Sequence, residues 1–292
     1  MEDFGIVSAP RRISRTAFVG GVVASALAAD AAEAASGIAD FERGEFRGDD
    51  GVVRAYYRGG DGPPVMVLHE VFGLTPDDVD FGRRLAKRGF TVYMPVLFGV
   101  PNHPATALYS FAQLVHVCVS REFDVFAKRR SSPVAHALRA LGREMFARHG
   151  GRGIGVIGLC LTGNFALAMM ADAHVVAPVV SEPALPFGVT AAAHAALHLD
   201  EKDLACAKKR AAEGAKYLGF RFDGDSISPA PRFAQLQDEL GGAFYGCTLK
   251  PVQHGAHAVF TKDFTANAAS THPAFERLVD FLTEQLGAAP PA

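Results

Sequence analysis

The most informative part of this sequence is Gly158-Leu159-Cys160-Leu161-Thr162-Gly163, a short turn between two apolar segments. The segment before it, 154–159, is continuously apolar and predicts a strand that is buried on both faces of a sheet. The segment after it, 161–173, is also apolar and predicts a helix. A cysteine on a sharp strand-to-helix turn, between small residues, is the setting that a nucleophile elbow requires. The turn therefore predicts an α/β fold with Cys160 as its candidate nucleophile.

Strands and helices alternate on both sides of this turn. The predicted strands are 64–69, 90–94, 174–180, 217–222 and a last one near 243–249. The predicted helices are 77–88, 133–148, 204–216, 232–240 and a final helix with Phe275, Leu278, Val279, Leu282 and Leu286 on one apolar stripe. A hairpin is predicted over 45–57, around the turn at 48–51. This alternation is typical of βαβ units, so we predict a mostly parallel sheet flanked by helices.

Length and composition favour one folded domain, over residues 41–288. The chain has 292 residues, 49% of them hydrophobic and 21% charged, and α/β folds of this size commonly form one unit around one sheet. A net charge of -2 argues against a nucleic-acid partner. The four cysteines have no Cys-x-x-Cys spacing, which argues against a structural metal site, although their number still allows two disulfides.

Residues 1–40 are predicted to be an export signal-like or disordered leader. Arg11 and Arg12 precede an apolar run, 16–29, that is too short to span a membrane. Ala32-Glu33-Ala34 then matches the small-x-small pattern of a cleavage site. We therefore expect an exported chain, periplasmic or secreted, without stable membrane insertion. The alternative is a leader on a cytoplasmic protein.

Cys160 is in a chemical setting that favours reactivity. A thiol has a lower intrinsic pKa than a hydroxyl group, and a helix N-terminus further favours the thiolate, the form that attacks a carbonyl carbon. Thr162 stands where a second small residue is usual, so we expect the helix to lie slightly farther from the strand. The alternative is that Cys160 is a buried small apolar residue, as most free cysteines are.

A triad on such a fold follows the chain order nucleophile, acid, histidine. The acid is predicted at Asp225, just beyond the strand 217–222, with Asp223 as the second choice because turns favour aspartate in any case. The base is predicted at His257, beyond the last strand, with His254 as the alternative. Both predictions rest on position relative to Cys160.

The residues after the first parallel strand complete the predicted site. On this fold one oxyanion donor is the amide after the nucleophile and the second comes from the loop after that strand. These positions assign the backbone amides of Leu161 and Val71. Glu70 precedes Val71, where burial of an acid is unfavourable without a partner. Glu70 therefore either acts in the site or pairs with a nearby arginine.

Four stretches together resemble the dienelactone hydrolase family of the α/β-hydrolase superfamily: 69–73, 158–163, 223–229 and 257–261. The resemblance covers about Gly44 to Leu286. It implies an α/β-hydrolase fold and a hydrolase that acts on a small-molecule carboxylic ester or lactone. Such an enzyme needs neither a metal nor a cofactor.

The resemblance also implies roles for individual residues. Cys160 is the nucleophile, His257 the base and Asp225 the acid that orients the histidine. Glu70 interacts with the cysteine as substrate binds. The family binds a substrate carboxylate through arginines, and Arg121 is the candidate for that role.

The sequence departs from the family pattern at defined places. Thr162 replaces a glycine, and Ala258 follows the histidine where a hydroxyl residue is common. Two segments, 99–120 and 181–200, do not fit the alternation, and we expect them to pass over the carboxyl edge of the sheet and shape the pocket. A second interpretation is therefore a non-catalytic protein of the same fold that binds a small ligand.

Overall fold

The computed structural model describes residues 37–107, 109–111, 113, 133–184, 194–197 and 199–287. The strands are β1 (Glu42–Arg47), β2 (Val53–Gly59), β3 (Pro64–Leu68), β4 (Thr91–Pro95), β5 (Ile154–Leu159), β6 (Val175–Ser181), β7 (Tyr217–Phe222) and β8 (Phe244–Leu249). They form one sheet with the order β1-β2-β4-β3-β5-β6-β7-β8. The pairs β1–β2 and β2–β4 are antiparallel and the others are parallel. The predicted mostly parallel sheet and the hairpin before it are confirmed.

Helices cover both faces of this sheet. They are α1 (Pro76–Ala86), α2 (Pro133–His149), α3 (Gly163–Ala168), α4 (Glu201–Ala212), α5 (Ala230–Leu240) and α6 (Ala268–Leu286). Helices α1 and α6 pack on one face, and α2 to α5 pack on the other. Strand β3 serves both cores because its side chains alternate: Val65 and Val67 point to one face, Met66 and Leu68 to the other. Because both faces of β3 are buried, its sequence is continuously apolar.

A buried capping box begins helix α1. The Oδ2 atom of Asp78 accepts hydrogen bonds from the amide of Thr75 at 2.9 Å and from its hydroxyl at 2.5 Å. Pro76 occupies the first helical position, where its missing N–H costs no hydrogen bond. Burial, together with the nearby charge of Glu70, raises the pKa of Asp78 to about 8. Asp78 is therefore a protonated, structural carboxyl group at neutral pH.

The predicted helix over 161–173 is wrong in its extent. The structure has a 3-10 turn at Cys160–Thr162, the short helix α3, and a second 3-10 turn at Met169–Ala171. Two arginines from other helices bind the carbonyl groups where α3 ends: Arg139 donates to Ala168, and Arg210 donates to Met170 at 3.1 Å. These contacts satisfy carbonyl groups that a longer helix would have used. Because they come from distant parts of the chain, the local sequence does not predict the break.

Contacts of the folded domain begin slightly before the predicted boundary at residue 41. The side chain of Ile38 is buried in the core beneath α1, and Asp40 pairs with Arg83 of that helix at 2.6 Å. The rest of the predicted leader, residues 1–36, lies outside the described residues. So do 114–132 and 185–193, which include parts of the two segments expected over the sheet edge, 99–120 and 181–200. Within the described chain, no helix combines the length and apolar character needed to cross a membrane.

The parallel strands bring five chain segments to one edge of the sheet. Glu70 follows β3, Cys160 follows β5, Glu182 follows β6, Asp225 follows β7 and His257 follows β8. Ligands bind at the carboxyl ends of strands in open α/β sheets, because the loops there are free to vary while the strands fix their positions. The candidate site lies at this edge.

Candidate active site

The turn at Cys160 is strained and closely packed. Cys160 has a φ of 49°, in the left-handed region that residues other than glycine rarely adopt, and it is only 7% exposed. A Cβ atom on Gly158 would lie 2.3 Å from the carbonyl oxygen of Thr162, and one on Gly163 would lie 2.8 Å from Pro183. Both glycines are therefore required for the turn to form.

Thr162 connects this turn to the neighbouring strand. Its hydroxyl accepts a hydrogen bond from the amide of Leu159 at 3.0 Å. The same hydroxyl lies 2.9 Å from the carbonyl oxygens of Leu68 and Leu159 and 3.1 Å from that of His69, so its single proton is shared between the turn and the end of β3. The side chain of Thr162 points to β3, while its carbonyl group lies against Gly158.

His257 and Asp225 form a direct hydrogen bond. The Nδ1 atom of His257 lies 2.7 Å from Oδ2 of Asp225, whose other oxygen accepts from the amides of Ile227 at 2.9 Å and Ser228 at 3.1 Å.

The two alternatives from the sequence lie elsewhere. Asp223, the second choice for the acid, is exposed and accepts from the amide of the next residue. His254, the other candidate base, is also exposed. The structure therefore joins Asp225 to His257 and leaves the two alternatives at the surface.

Cys160, His257 and Asp225 shift one another's pKa values. Burial lowers the pKa of His257, but the interactions with Cys160 and Asp225 outweigh it and leave this pKa well above its usual value. Burial raises the pKa of Asp225, but the hydrogen bond and charge of His257 outweigh it, so that the net shift is downward. Burial also raises the pKa of the Cys160 thiol, and His257 opposes this. Asp225 is thus an anion that strengthens the imidazole as a proton acceptor.

The Nε2 atom of His257 is directed into the site. It is buried and has no hydrogen bond of standard geometry among the residues that the structure describes, while it interacts with the nearby Cys160 thiol. Asp263 fixes the loop behind it, because one carboxylate oxygen accepts from the amides of His257 at 2.8 Å and Ala258 at 3.0 Å. The sequence prediction missed Asp263, whose signal was only its position six residues after the histidine.

Glu70 is buried at the end of β3 and points toward the same site. Its Oε1 atom accepts a hydrogen bond from the hydroxyl of Thr261, so its partner is a threonine rather than the arginine of the alternative interpretation. Burial raises the pKa of Glu70, while the Thr261 hydrogen bond and the charge of His257 oppose this. The negative charge of Glu70 in turn raises the pKa of Cys160.

His69 holds the predicted oxyanion loop in place. Its Nδ1 atom lies 2.8 Å from the carbonyl oxygen of Glu70, and its Nε2 atom accepts from the amide of Leu97 at 3.1 Å. Burial lowers the pKa of His69 to about 4, so the ring is neutral and donates only through Nδ1. His69 therefore connects the end of β3 to the segment that follows β4 through these hydrogen bonds.

The register of the sheet places the two predicted oxyanion amides on adjacent strand ends. Leu68 of β3 is paired with Gly158 of β5, so Val71 and Leu161 follow neighbouring strands at the same level. Both residues are buried. Arg121, the predicted carboxylate ligand, lies outside the described residues.

Two buried charged residues near the site were missed by sequence reasoning. Glu182 follows β6 and is fully buried, and its signal was an acid directly after an apolar strand, the same signal that singled out Glu70. Arg232 of α5 is also buried and donates to the carbonyl groups of Pro183 at 2.7 Å and Ala196 at 3.1 Å. An arginine near a helix start gives no such signal.

The described residues offer a thiol, a base and an acid but no cluster of three or more histidine, cysteine or acidic side chains that could hold a metal ion. The cysteines among them, Cys160, Cys206 and Cys247, are all free. The arrangement can transfer a proton from the thiol to an imidazole that Asp225 orients. This is the chemistry of a nucleophile that is activated by an adjacent base.

Comparisons with known proteins agree with this architecture. Over 119 residues the chain is 29% identical to a Methylorubrum extorquens protein named as a candidate carboxymethylenebutenolidase, and the match spans 39% of this chain and 39% of that protein. A solved structure of a candidate dienelactone hydrolase from Klebsiella pneumoniae has a TM-score of 0.58 at 20% identity, covering 84% of this chain and 99% of that one.

A Xanthomonas campestris α/β serine hydrolase without a lid has a TM-score of 0.51 at 12% identity, covering 86% of this chain and 97% of that one. At these identities the two solved structures show a shared α/β-hydrolase fold. The dienelactone hydrolase family itself matches residues 53–286. Because this match includes the strands β2 to β8 and the helices α1 to α6, the chain belongs to the dienelactone hydrolase family of hydrolases.

Proposed function

We propose that this hydrolase cleaves small carboxylic esters or lactones through Cys160, His257 and Asp225. The observation that carries the proposal is the 2.7 Å hydrogen bond between Asp225 and Nδ1 of His257, with Nε2 left to interact with a cysteine on a strained turn. A buried structural cysteine requires neither a left-handed backbone nor an imidazole held by an acid.

The reaction follows from the position of the groups. Nε2 of His257 takes the proton from Sγ of Cys160 as the sulfur attacks the carbonyl carbon, and the amides of Leu161 and Val71 donate to the oxyanion. The bond to the leaving oxygen then breaks, and that oxygen takes the proton from Nε2. A thioester remains on Cys160. In a lactone the leaving alcohol stays attached to the acyl group.

Water completes the cycle. His257 accepts a proton from water while the water oxygen attacks the thioester carbon, and the C–S bond breaks as the thiolate recovers the proton. An ester then gives an acid and an alcohol, and a lactone gives a hydroxy acid. Because burial raises the pKa of Cys160, the resting residue is a thiol, and its activation depends on His257.

The direct test is Cys160→Ala, assayed on activated esters and small lactones. We expect kcat/KM to fall by at least about 10⁴-fold, because the nucleophile is removed. Cys247→Ala is the matched control, since Cys247 is also free and part-buried but lies within β8. A covalent adduct of the acyl group on Cys160, seen by mass spectrometry after rapid quenching, is expected in the wild type and in the Cys247 variant.

The same measurements decide between the enzyme and a ligand-binding protein of this fold. Wild-type turnover that persists in Cys160→Ala would contradict the proposed mechanism. A wild type without turnover, whose Cys160 thiol also fails to react with iodoacetamide, would favour the binding protein.

We also propose that residues 1–40 direct export of the chain. The proposal rests on the arginine pair, the apolar run and the small-x-small pattern of the sequence. Mass spectrometry of the mature protein from the producing cell is expected to find an N-terminus beyond Ala34. An intact Met1 in the cytoplasmic fraction would contradict export.

A further inference from the structure

Glu182 occupies an unfavourable position at the end of β6. The side chain is completely buried, and the backbone has a φ of 34°, which is strained for a residue with a Cβ atom. The amide of Glu182 donates to the carbonyl oxygen of Phe220 in β7 at 2.7 Å, which fixes the backbone in this conformation. Strain and burial of an acid at one residue require a compensating role or contact.

The carboxyl group of Glu182 contacts the loop that carries His257. Its Oε2 atom accepts a hydrogen bond from the amide of Val259 at 3.3 Å and a short one from the hydroxyl of Ser181. Its Oε1 atom is buried and has no hydrogen bond to any residue that the structure describes. Val259 lies two residues after His257, so Glu182 anchors the histidine loop at a second point, in addition to the contacts of Asp263.

The residues after Glu182 contact the nucleophile turn. Pro183 packs against Gly163, and the amide of Ala184 donates to the carbonyl oxygen of Cys160 at 3.0 Å. Three consecutive residues, 182–184, therefore join the cysteine turn to the histidine loop. We call this segment the β6 brace.

The charged and titratable groups around Glu182 come from four other segments. Cys160, Glu70 and His257 interact with its carboxyl group, and Arg232 binds the carbonyl group of the adjacent Pro183. Burial raises the pKa of Glu182 to about 8, with Glu70 adding to the rise and His257 opposing it. Glu182 is therefore protonated at neutral pH, and as an anion it would raise the pKa of Cys160.

We propose that Glu182 is a positioning residue that holds His257 in place beside Cys160 through the β6 brace. The inference rests on the proposed function, since it assigns Glu182 to the pair that carries the reaction. The geometry supports it in two ways: the brace hydrogen-bonds both the carbonyl group of Cys160 and the amide of Val259, two residues after His257, and Glu182 holds a strained backbone while fully buried.

The test compares Glu182→Gln with Glu182→Ala and uses the alkylation of Cys160 by iodoacetamide, which requires no substrate. Glutamine keeps an acceptor for the amide of Val259 but cannot ionise. We expect its alkylation rate near pH 9 to exceed the wild-type rate by about threefold, because the wild type acquires a negative charge beside the thiol above pH 8 or so. The wild-type rate should therefore rise less steeply with pH than the variant rate.

Glu182→Ala removes the acceptor of the hydrogen bond from the amide of Val259. We expect kcat on activated esters near pH 7 to fall by about 10-fold or more relative to the glutamine variant, with KM little changed, because misplacement of the base affects the reacting atoms. If the alanine variant does not fold, the alkylation profile of the glutamine variant alone decides whether the inference holds.

Asp78→Asn is the matched control, because Asp78 is likewise fully buried with one unbonded oxygen but belongs to the cap of α1. It should lower thermal stability and leave the alkylation profile of Cys160 unchanged. The inference is overturned if Glu182→Gln has the wild-type alkylation profile while Cys160 remains reactive in a His257-dependent way. A wild-type thiol that does not react at all overturns both this inference and the proposed function.

Discussion

The hairpin β1–β2 and the carboxyl edge of the sheet each hold a carboxyl group, Asp50 and Glu182, whose pKa values shift in opposite directions. In the hairpin, Arg54 donates two hydrogen bonds to Asp50, at 3.0 and 2.6 Å, and lowers the pKa of that carboxyl group. At the sheet edge, burial raises the pKa of Glu182, whose partners are a hydroxyl and an amide. Asp225 differs from Glu182, because His257 and two amides keep it ionised. The site thus places an orienting anion, Asp225, near Glu70 and Glu182, whose pKa values burial raises.

The largest effect is expected when that one anion is neutralised. Asp225→Asn should lower kcat by about 10⁴-fold, because an amide no longer stabilises the imidazolium and favours the wrong tautomer of His257. Asp223→Asn is the matched control, since Asp223 is exposed two residues away. Steady-state kinetics on an activated ester measure both. Equal activity of the two variants would contradict the assignment of Asp225.

The second-largest effect is expected at the contact between the turn after β5 and the end of β3. Thr162→Ala removes the hydroxyl that bridges to the carbonyl groups of Leu68 and His69, and the two strand ends carry the proposed oxyanion amides. We expect kcat to fall by about 10²-fold, because a small misplacement of these groups weakens transition-state binding. Thr162→Ser keeps the hydroxyl and should recover most of the loss. A serine variant as slow as the alanine variant would show that the methyl group, not the hydroxyl, matters.

Buried neutral acids also predict how stability depends on pH. Asp78 and Glu182 have folded-state pKa values of about 8, above their unfolded values, so the folded protein binds more protons than the unfolded chain between these limits. The free energy of unfolding should therefore decrease as pH rises, by at most about 2 kcal/mol per group between pH 6 and pH 8. Urea titrations at several pH values measure this, and Asp78→Asn should flatten the dependence. A rise in stability over the same range would contradict the assignment.

The smallest effect is expected in the hairpin. Arg43 and Glu45 form an ion pair at 2.9 Å with both side chains more than half exposed. Glu45→Gln should change the free energy of unfolding by less than about 1 kcal/mol, because solvent screens such pairs. Its kcat should equal that of the wild type. A loss of activity would show that the hairpin and the sheet edge are coupled.

The sequence predicted the parts of the site that local patterns encode. The apolar segments 154–159 and 217–222 predicted β5 and β7 with the bounds that the structure has. The small residues around a cysteine on a strand-to-helix turn singled out Cys160. The chain order nucleophile, acid, histidine then selected Asp225 and His257, which the structure brings into direct contact. These features depend on residues that lie close together in the chain or at the end of a recognisable strand.

The parts that were not predicted depend on contacts between distant segments. Helix α3 ends early because Arg139 and Arg210 bind carbonyl groups beyond their own helices. The role of Thr162 comes from carbonyl groups on β3, more than ninety residues earlier. Glu182 acquires its strain and burial from β7 and the histidine loop together. No local pattern of residue types contains this information.

The left-handed backbone at Cys160 also has a consequence for folding. Such a conformation persists only when surrounding contacts determine it, and here they come from the end of β3, through Thr162, and from Ala184 after β6. Strand pairing between segments far apart in the chain forms slowly in parallel sheets. A refolding chain therefore carries an ordinary cysteine until its sheet is complete. The onset of His257-dependent thiol chemistry should mark the end of folding rather than its beginning.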